Sequence, residues 1–206
     1  MQGRLATLMS PIAEKPLRAD ARRNREKVLE AARAVFAEQG RDAQIDDVAR
    51  RADVGVGTVY RHFPTKDALL QALSDETFET IAAYARDALA REDAWEAFID
   101  VMWFGAQRTA GDRGFSEILA ASPNSMPPQR CPGERDLNAS GAELMERAKA
   151  EGRMRSDVMI EDVGLLMCGV GSASGMFHPL PDAWRRHLGI VLDGLRTEAA
   201  SAPLHR

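Results

Sequence analysis

The sequence is poor in the residues on which most catalytic and metal-binding sites depend. Its 206 residues include four histidines and two cysteines, Cys131 and Cys168, and none of these falls in a CxxC pair or another spacing typical of metal ligands. The patterns GxSxG, HExxH, GxGxxG and GxxxxGK[ST] are absent. We therefore expect that the protein is not an enzyme and that it binds no metal and no cofactor. We interpret both cysteines as structural or incidental.

Long hydrophobic runs are also missing. The chain has no run of about 18 apolar residues, so we expect no membrane-spanning helix. The N-terminus lacks the apolar core of a signal peptide, and the unpaired cysteines fit a reducing compartment. With 45% hydrophobic and 28% charged residues, the composition is that of a soluble globular protein. We expect it in the cytoplasm, with no membrane partner.

Positive charge is scarce overall but concentrated near the N-terminus. The net charge is −4, yet residues 1–70 carry 13 lysines and arginines against 10 aspartates and glutamates, a net charge of +3. The rest of the chain therefore carries −7. A basic N-terminal third on an acidic remainder is typical of a localised contact with nucleic acid.

The most informative stretch runs from Gln44 to Leu70 and predicts two short helices joined by a tight turn. Apolar residues recur at helical spacing in both, namely Ile45, Val48, Ala49 and Ala52 in the first and Val56, Val59, Tyr60 and Phe63 in the second. Asp53 in the turn tolerates a positive φ, and Gly55 is an acceptable N-cap. The pattern predicts a helix-turn-helix, whose second helix can lie in a DNA major groove.

The outward face of the second helix carries small, polar and basic side chains. Thr58 and Arg61 can read base edges, and Gly57 lets the backbone approach closely. Pro64, the N-cap Thr65 and Asp67 predict that a third helix starts there, with Lys66 placed to neutralise a phosphate. We predict DNA contacts from Gln44, Gly57, Thr58, Tyr60, Arg61, His62 and Lys66. Tyr60 is expected at the edge of the buried face, with its hydroxyl free. The alternative is that this amphipathic pair is simply part of a helical core.

This stretch resembles the signature of TetR-type (TetR/AcrR) transcriptional regulators. The resemblance rests on Asp47-Val48-Ala49 and on the run ADVGVGTVYRHFPTKDALL over residues 52–70, with its pattern G-T-x-Y-x-H-F-x-x-K-x-x-L. It covers roughly residues 22–72. Asp53 stands where the family more often has Gly, and Gly55 where it often has Ser; both fit the turn. The resemblance implies an all-helical homodimer with an N-terminal DNA-binding domain and a C-terminal ligand-binding domain, usually a ligand-released repressor.

The rest of the chain predicts further helices. We expect an all-α fold in three parts: a flexible basic tail at 1–19, a three-helix helix-turn-helix domain at 20–66, and a larger helical effector-binding and dimerisation domain at 67–206. The predicted helices span about 22–39, 65–91, 94–109, 136–151, 157–176 and 181–200, with a short helix around Phe115. Residues 122–135 hold four prolines and are interpreted as a loop.

Two further sets of residues are predicted in the C-terminal part. Aromatic and methionine side chains can line an apolar pocket; the candidates are Phe78, Trp95, Phe98, Met102, Trp103, Phe115, Met145, Met167 and Phe177. For any one of them, a place in the plain core is the alternative. The last two helices can pair with those of a second copy, through Gly164, Gly171, Gly175, Leu188, Val191, Leu192 and Leu195, or they can pack within the monomer alone.

The sequence thus predicts a ligand-responsive transcriptional regulator. The expected partners are a double-stranded DNA operator, a second copy of the chain and a small-molecule effector, for which the apolar composition of the wall suggests a hydrophobic compound. The expected mode is repression of a palindromic operator that the effector relieves. An all-α adaptor or small-molecule-binding protein that does not bind DNA is the alternative, and an enzyme is a more distant one. A steep salt dependence of DNA binding would separate these classes.

Overall fold

The computed structural model describes residues 14–110, 131–176 and 183–204. Within these ranges the chain forms α-helices and two 3-10 turns, and the only pairing of extended backbone is one bridge between Met154 and Arg196. The helices are α1 (Glu14–Gln39), α2 (Ile45–Arg51), α3 (Val56–His62), α4 (Lys66–Ala88), α5 (Ala94–Ala110), α6 (Pro132–Ala150), α7 (Ile160–Met176) and α8 (Ala183–Gly194). The 3-10 turns are Gly40–Asp42 and Thr197–Ala199. The predicted all-α fold is confirmed.

Helix α1 is longer than the sequence predicted. It begins at Glu14, before the expected start near Arg22, and so includes the end of the stretch interpreted as a tail. Pro16 is compatible with this start because it lies in the first turn, where its missing N–H would have no intrahelical acceptor. The helix ends as predicted at Gln39, just before Gly40, whose φ of 61° suits glycine.

A first core lies between α1, α2, α3 and the start of α4. Val28, Ala32 and Phe36 of α1 are buried there. They meet Val48 of α2 and Val59 of α3, both without exposed surface. Helices of seven residues such as α2 and α3 are unstable alone, so this shared burial is what holds the short pair in place.

Helix α4 connects the first core to a second one. Leu69, Ala72 and Leu73 in its first two turns pack in the first core, whereas Ala85 and Ala88 near its end pack in the second. Because one continuous helix belongs to both cores, a tilt of α4 moves one core relative to the other.

The second core is formed by α5, α6, α7 and α8 around the end of α4. Trp95 and Phe98 of α5 lie 6.1 Å apart between ring centroids in its middle. Arg147 of α6 donates hydrogen bonds to the carbonyl oxygens of Leu89, at 2.7 Å, and Arg91, at 2.5 Å. These carbonyls follow the last turn of α4, so Arg147 ties the C-terminal end of α4 to α6.

The predicted bounds of the later helices need three corrections. Helix α6 starts at Pro132 rather than near Asp136, because Cys131 serves as its N-cap and proline suits the first helical position. Helix α7 starts at Ile160, later than predicted. Helix α8 stops at Gly194 rather than near Ala200, because the chain then turns to pair with Met154. The short helix predicted around Phe115 lies outside the described residues.

The end of the described chain is fastened by an ion pair. Arg155 and Asp157 pair through two contacts, Nε to Oδ1 at 2.7 Å and a second guanidinium nitrogen to Oδ2 at 3.0 Å. Arg155 also donates to the carbonyl of Ala202, and Asp157 accepts from the N–H of Leu204. The hydrogen bond from Arg155 and that from Leu204 hold the pKa of Asp157 well below its usual range.

Candidate nucleic-acid interface and effector cavity

The turn between α2 and α3 has the geometry that the sequence predicted. Asp53 has a φ of 54°, and the N–H of Val54 donates back to the carbonyl of Ala49 at 3.1 Å. Gly55 is the N-cap of α3, with φ −69° and ψ 144°. The left-handed residue and the backward hydrogen bond end α2 abruptly, so α3 leaves at an angle and packs across it.

One side of α3 is buried and the other is open. Val59 and Phe63 are buried, and Val56 is half-buried. On the opposite side Gly57 and Arg61 are exposed. A Cβ built on Gly57 would meet no atom within 4 Å, so the fold itself does not require glycine there.

Tyr60 does not take the position predicted for it. It was expected at the edge of the buried face with its ring packed, but the residue is 48% exposed. The reason is that α1 and α2 meet α3 along the line of Val56, Val59 and Phe63, and Tyr60 lies about 100° round the helix from Val59. Tyr60 therefore joins Gly57, Thr58, Arg61 and His62 on or beside the open side, with Thr58 and His62 half-buried. We call these five residues the α3 face.

Two more predicted DNA contacts flank the α3 face along the chain. Gln44 is exposed, and its amide nitrogen donates to the carbonyl of Asp42 at 2.7 Å. Lys66 is the first residue of α4, after Thr65, whose hydroxyl accepts from the N–H of Ala68 at 3.0 Å. The Lys66 ammonium lies 5.5 Å from the Phe36 ring centroid. The N-cap assigned to Thr65 from the sequence is confirmed, and Lys66 stands beside the free N–H groups of that first turn.

The basic residues of α2 are less available to a second molecule. Arg50 pairs with Asp47 at 2.7 Å, and Arg51 pairs with Glu38 at 2.8 Å. Arg25 of α1 has a different partner, since its guanidinium carbon lies 5.4 Å from the Phe63 ring centroid. The positive charge of Arg61 on α3 is therefore better placed for phosphate than the charge on α2.

A cavity of about 170 Å³ lies in the second half of the protein, between α4, α5, α6 and α7. Four of the predicted pocket residues line it: Phe78, Phe98, Met102 and Met167. The prediction missed Ile81, Val101, Gly105, Thr109, Glu134, Leu137, Asn138, Gly141, Ile160, Val163, Gly164 and Cys168. These residues follow no pattern within a single helix, because each of the four helices contributes only a few side chains to the cavity wall.

Three predicted pocket residues lie elsewhere. Trp95 and Met145 are fully buried in the second core and do not reach the cavity. Trp103 packs against Trp184, with ring centroids 5.9 Å apart. Trp95 and Met145 belong to the plain core, and Trp103 is partly buried against it. Phe115 and Phe177 lie outside the described residues.

The start of α6 is packed directly on α4. The thiol of Cys131 accepts from the N–H of Glu134 at 3.3 Å, and burial raises the pKa of that thiol. A Cβ on Gly133 would lie 2.7 Å from the backbone nitrogen of Glu79. The two helices therefore touch backbone to backbone here, beside the cavity.

Most of the predicted dimer residues serve the protomer itself. Leu188, Leu192 and Leu195 are buried in the second core, so their side chains cannot meet a second copy, and Val191 packs partly against the same core. The single apolar stripe of α8 is thus used within the monomer. Gly164 lines the cavity, Gly171 is buried, and Gly175 is the penultimate residue of α7.

Other apolar side chains on the last two helices are exposed. Leu165 on α7 is 57% exposed and Ile190 on α8 is 63% exposed. Among the described residues, no group of three or more histidine, cysteine or carboxylate side chains could hold a metal ion. Nor does any helix in the described ranges have the length and apolarity needed to cross a membrane.

Fold and site together define a helix-turn-helix protein with a separate helical cavity domain. Comparison with known proteins agrees. Residues 28–73 match the family described as bacterial regulatory proteins, tetR family. Residues 90–197 match the SbtR-like C-terminal domain of transcriptional regulators. The chain belongs to the tetR family, and it is a DNA-binding transcriptional regulator. The predicted family and the predicted class of DNA-binding regulator are confirmed.

Individual relatives that support this assignment match the chain over stretches of different length. The chain is 36% identical over 102 residues to the uncharacterized regulator TtgW of Pseudomonas putida, a match covering 49% of this chain and 75% of TtgW. It is 28% identical over 187 residues to the repressor Rv1474c of Mycobacterium tuberculosis, covering 86% and 82% of the two chains. A TetR regulator structure from Mycobacterium vanbaalenii is 35% identical, with a TM-score of 0.59, and the match covers 88% of this chain and 99% of that one.

Proposed function

We propose that the protein acts as a homodimer on a two-fold symmetric operator, with one α3 in each of two successive major grooves about 34–36 Å apart. The observation that carries this is the open α3 face, where Gly57 is free of neighbours and Arg61 is exposed. Arg61 would fork onto guanine and Thr58 would meet a base edge. Gln44, Tyr60, His62 and Lys66 would hold phosphates or flanking bases.

The dimer would form through the exposed sides of α7 and α8. Leu165 and Ile190 support this, since both are large apolar residues with more than half of their surface open. The two helices pack against each other within the protomer. A second copy adding its own pair would bury these side chains in a four-helix arrangement.

The effector would be a small, mainly apolar molecule that enters the cavity and releases DNA. Phe78 and Ile81 of α4 line the cavity, and the same helix begins at Lys66 beside the α3 face. An effector that fits one tilt of α4 better than the other shifts the spacing of the two α3 helices. Effector and operator then weaken each other by the same factor. In this proposal the protein works in the cytoplasm without catalysing a reaction.

Selection of bound DNA from a random duplex library at moderate salt tests the proposal. We expect enrichment of a two-fold symmetric site. The variant Arg61→Ala should relax preference at specific positions. Lys66→Ala should weaken all sites about equally and lower the salt slope by about 1.

Lys149→Ala is the matched control, since Lys149 pairs with Glu146 at 2.8 Å on α6, away from α3. It should leave both preference and salt slope unchanged. If the wild-type protein enriches no sequence, or enriches one without two-fold symmetry, the proposed dimeric operator complex is wrong. The alternative of an all-α adaptor that does not bind DNA would then be tested next.

A further inference from the structure

The wall of the cavity combines an apolar majority with a few polar side chains. Phenylalanine, methionine, isoleucine, leucine and valine side chains make up most of the described lining. The polar side chains are those of Thr109, Glu134, Asn138 and Cys168. A polar group that a ligand carries into such a cavity costs free energy unless one of these side chains meets it. These four residues therefore decide which ligand chemistry the described wall accepts.

Three of the four polar residues are already engaged within the protein. The Thr109 hydroxyl donates to the carbonyl oxygen of Ala106 at 3.2 Å. Thr109, Glu134 and Cys168 each have an interaction with another part of the protein as well. A ligand group at any of these three residues has to share or displace a contact that the protein already makes.

Asn138 differs from the other three polar residues. Its side-chain amide makes no hydrogen bond with any residue that the structure describes. Asn138 is half-buried on α6, about one helical turn after Glu134. The amide offers one acceptor oxygen and two donor hydrogens. A hydroxyl or amide group of a ligand can therefore bond to Asn138 without displacing a contact between described residues.

The described wall has no place prepared for a charged ligand. It includes no lysine, arginine or histidine, so a carboxylate or phosphate group would lie there without a cation. Its one carboxylate belongs to Glu134, which already has a partner, so an ammonium group would have to compete with that partner. Because a charge that leaves water without a new partner costs much free energy, this cavity favours an uncharged ligand.

The volume of the cavity suits one ring. An apolar cavity of about 150 Å³ in a protein interior accommodates benzene, and this one measures about 170 Å³. Phe78, Phe98, Met102 and Met167 line it, and the thioether of methionine packs favourably against aromatic rings. A ring-sized apolar body with a short polar arm fits such a space.

We propose that the effector is an uncharged compound with one ring-sized apolar body and one hydrogen-bonding group, and that Asn138 is the side chain that recognises this group. The inference rests on the proposed role of the cavity as the effector site. The phenylalanines and methionines bind the ring, and the Asn138 amide binds the arm. Asn138 thereby sets the specificity for the arm, while the lack of a basic residue on the described wall excludes anions.

Calorimetric titration of the full-length protein without DNA tests the preference for an uncharged ligand. The probes are benzyl alcohol, benzylamine, benzoate and ethylbenzene, which share a ring and differ in the short arm. We expect benzyl alcohol to bind at least about tenfold more tightly than benzylamine or benzoate, because neither ion finds a vacant partner of opposite charge. Equal or tighter binding of either ion, or no binding of benzyl alcohol at millimolar concentration, would overturn the proposal.

Two variants of Asn138 test which side chain recognises the arm. Asn138→Leu should lower the ratio of benzyl alcohol affinity to ethylbenzene affinity about tenfold, because it replaces the hydrogen-bonding amide by an apolar group of similar size. Asn138→Asp should raise the ratio of benzylamine affinity to benzyl alcohol affinity, because a carboxylate at the same place pairs with the ammonium group.

Asn24→Leu is the matched control for these variants. Asn24 is also half-buried in a helix, but it lies on α1 and does not line the cavity. Its replacement should leave both affinity ratios unchanged. If Asn138→Leu and Asn24→Leu give the same ratios, Asn138 does not recognise the arm and the proposal is wrong.

A change at Gly164 tests whether the probes bind in this cavity. Gly164 lines the cavity, and a Cβ built on it would meet no atom within 4 Å. Gly164→Leu should therefore fill open space without a clash and weaken the binding of benzyl alcohol and ethylbenzene alike. Gly194→Leu, at an open position on α8 outside the cavity, should leave both affinities unchanged. Equal probe affinities in the two variants would place the ligand elsewhere and overturn the proposal.

Fluorescence anisotropy with the selected operator separates this inference from the proposed function. If the protein binds operator but benzyl alcohol shows no Asn138-dependent preference, the ligand class is wrong and the regulator proposal stands. If benzyl alcohol binds in the Asn138-dependent manner and no operator is found, the ligand class stands and the DNA proposal fails.

Discussion

The α3 face and the cavity differ in how far along the chain their residues are spread. Candidate DNA contacts fall between Gln44 and Lys66, on one turn and the helices beside it. The described cavity wall runs from Phe78 to Cys168 and takes strips from four helices. The first surface depends on local geometry, and the second depends on how distant helices pack.

The two regions also use glycine differently. At Gly57 a Cβ would meet nothing, whereas at Gly133 it would strike the backbone of α4. The first glycine has no role in packing the protomer, and the second is required by packing. In the proposed operator complex, the open space at Gly57 would admit DNA, whereas the space at Gly133 is taken by the protein's own α4.

The strongest test of that contrast is Gly133→Ala. Its Cβ would lie 2.7 Å from the nitrogen and 2.9 Å from the Cα of Glu79, and backbone atoms cannot rotate away. Overpacking of this kind costs roughly 1–3 kcal/mol, so we expect a loss near the upper end in chemical denaturation. Gly194→Ala, at an open position on α8, is the control and should be neutral or slightly stabilising. Equal stability of the two variants would show that α4 and α6 can separate freely.

Gly57→Ala sharpens the comparison from the other side. The variant should be as stable as the wild type, or more so by up to about 1 kcal/mol, because alanine favours helix. Operator affinity should fall about tenfold, equivalent to about 1.4 kcal/mol, since the added methyl meets the DNA. Denaturation and fluorescence anisotropy measure the two effects. With Gly194→Ala as control, an unchanged operator affinity would mean that α3 does not approach DNA along Gly57.

The smallest expected effect concerns the fastening of the chain end at Asp157. Arg155 and the N–H of Leu204 lower the pKa of Asp157, so its ionised form stabilises the fold above the usual aspartate pKa of about 3.9. This contribution declines as the pH falls below that value and disappears below the folded-state pKa. Asp157→Asn should therefore have a lower melting temperature at pH 7.

Melting curves of both proteins across the acidic range check this sign. The gap between wild type and Asp157→Asn should shrink as the pH falls below about 4. Asp193→Asn, whose carboxylate lies 3.6 Å from Arg196 and is largely exposed, should show a smaller gap at every pH. A gap that widens in acid would contradict the ion-pair account.

Much of the N-terminal region was predictable because its signals are short-range. The positive φ at Asp53, the N-caps at Gly55 and Thr65 and the buried line of α2 depend on residues close in sequence, and the structure has them as predicted. Tyr60 is the exception. Its exposure is set by where α1 and α2 pack against α3, and the contact with α1 joins residues far apart in the chain.

The C-terminal region was predictable in its helices but not in the use of their faces. Trp95 and Phe98 share one apolar face of α5, yet Trp95 is core and Phe98 lines the cavity. Leu188 and Ile190 are close on α8, and the first is buried while the second is exposed. The sequence could not assign these residues to one environment, because apolar spacing is the same for a core residue, a cavity residue and an interface residue.

The sequence by itself determined the helical class and the helix-turn-helix, since helix periodicity, capping and turn chemistry act within a few residues. Its resemblance to the family rested on a motif that is likewise short and continuous. Only the tertiary structure decided that Glu134 and Asn138 face an apolar cavity and that Gly133 touches α4. It likewise decided that the α8 leucines belong to the protomer's own core. The physical reason is that a cavity or an interface exists between helices. Its lining is therefore set by how distant segments cross, which no single segment encodes.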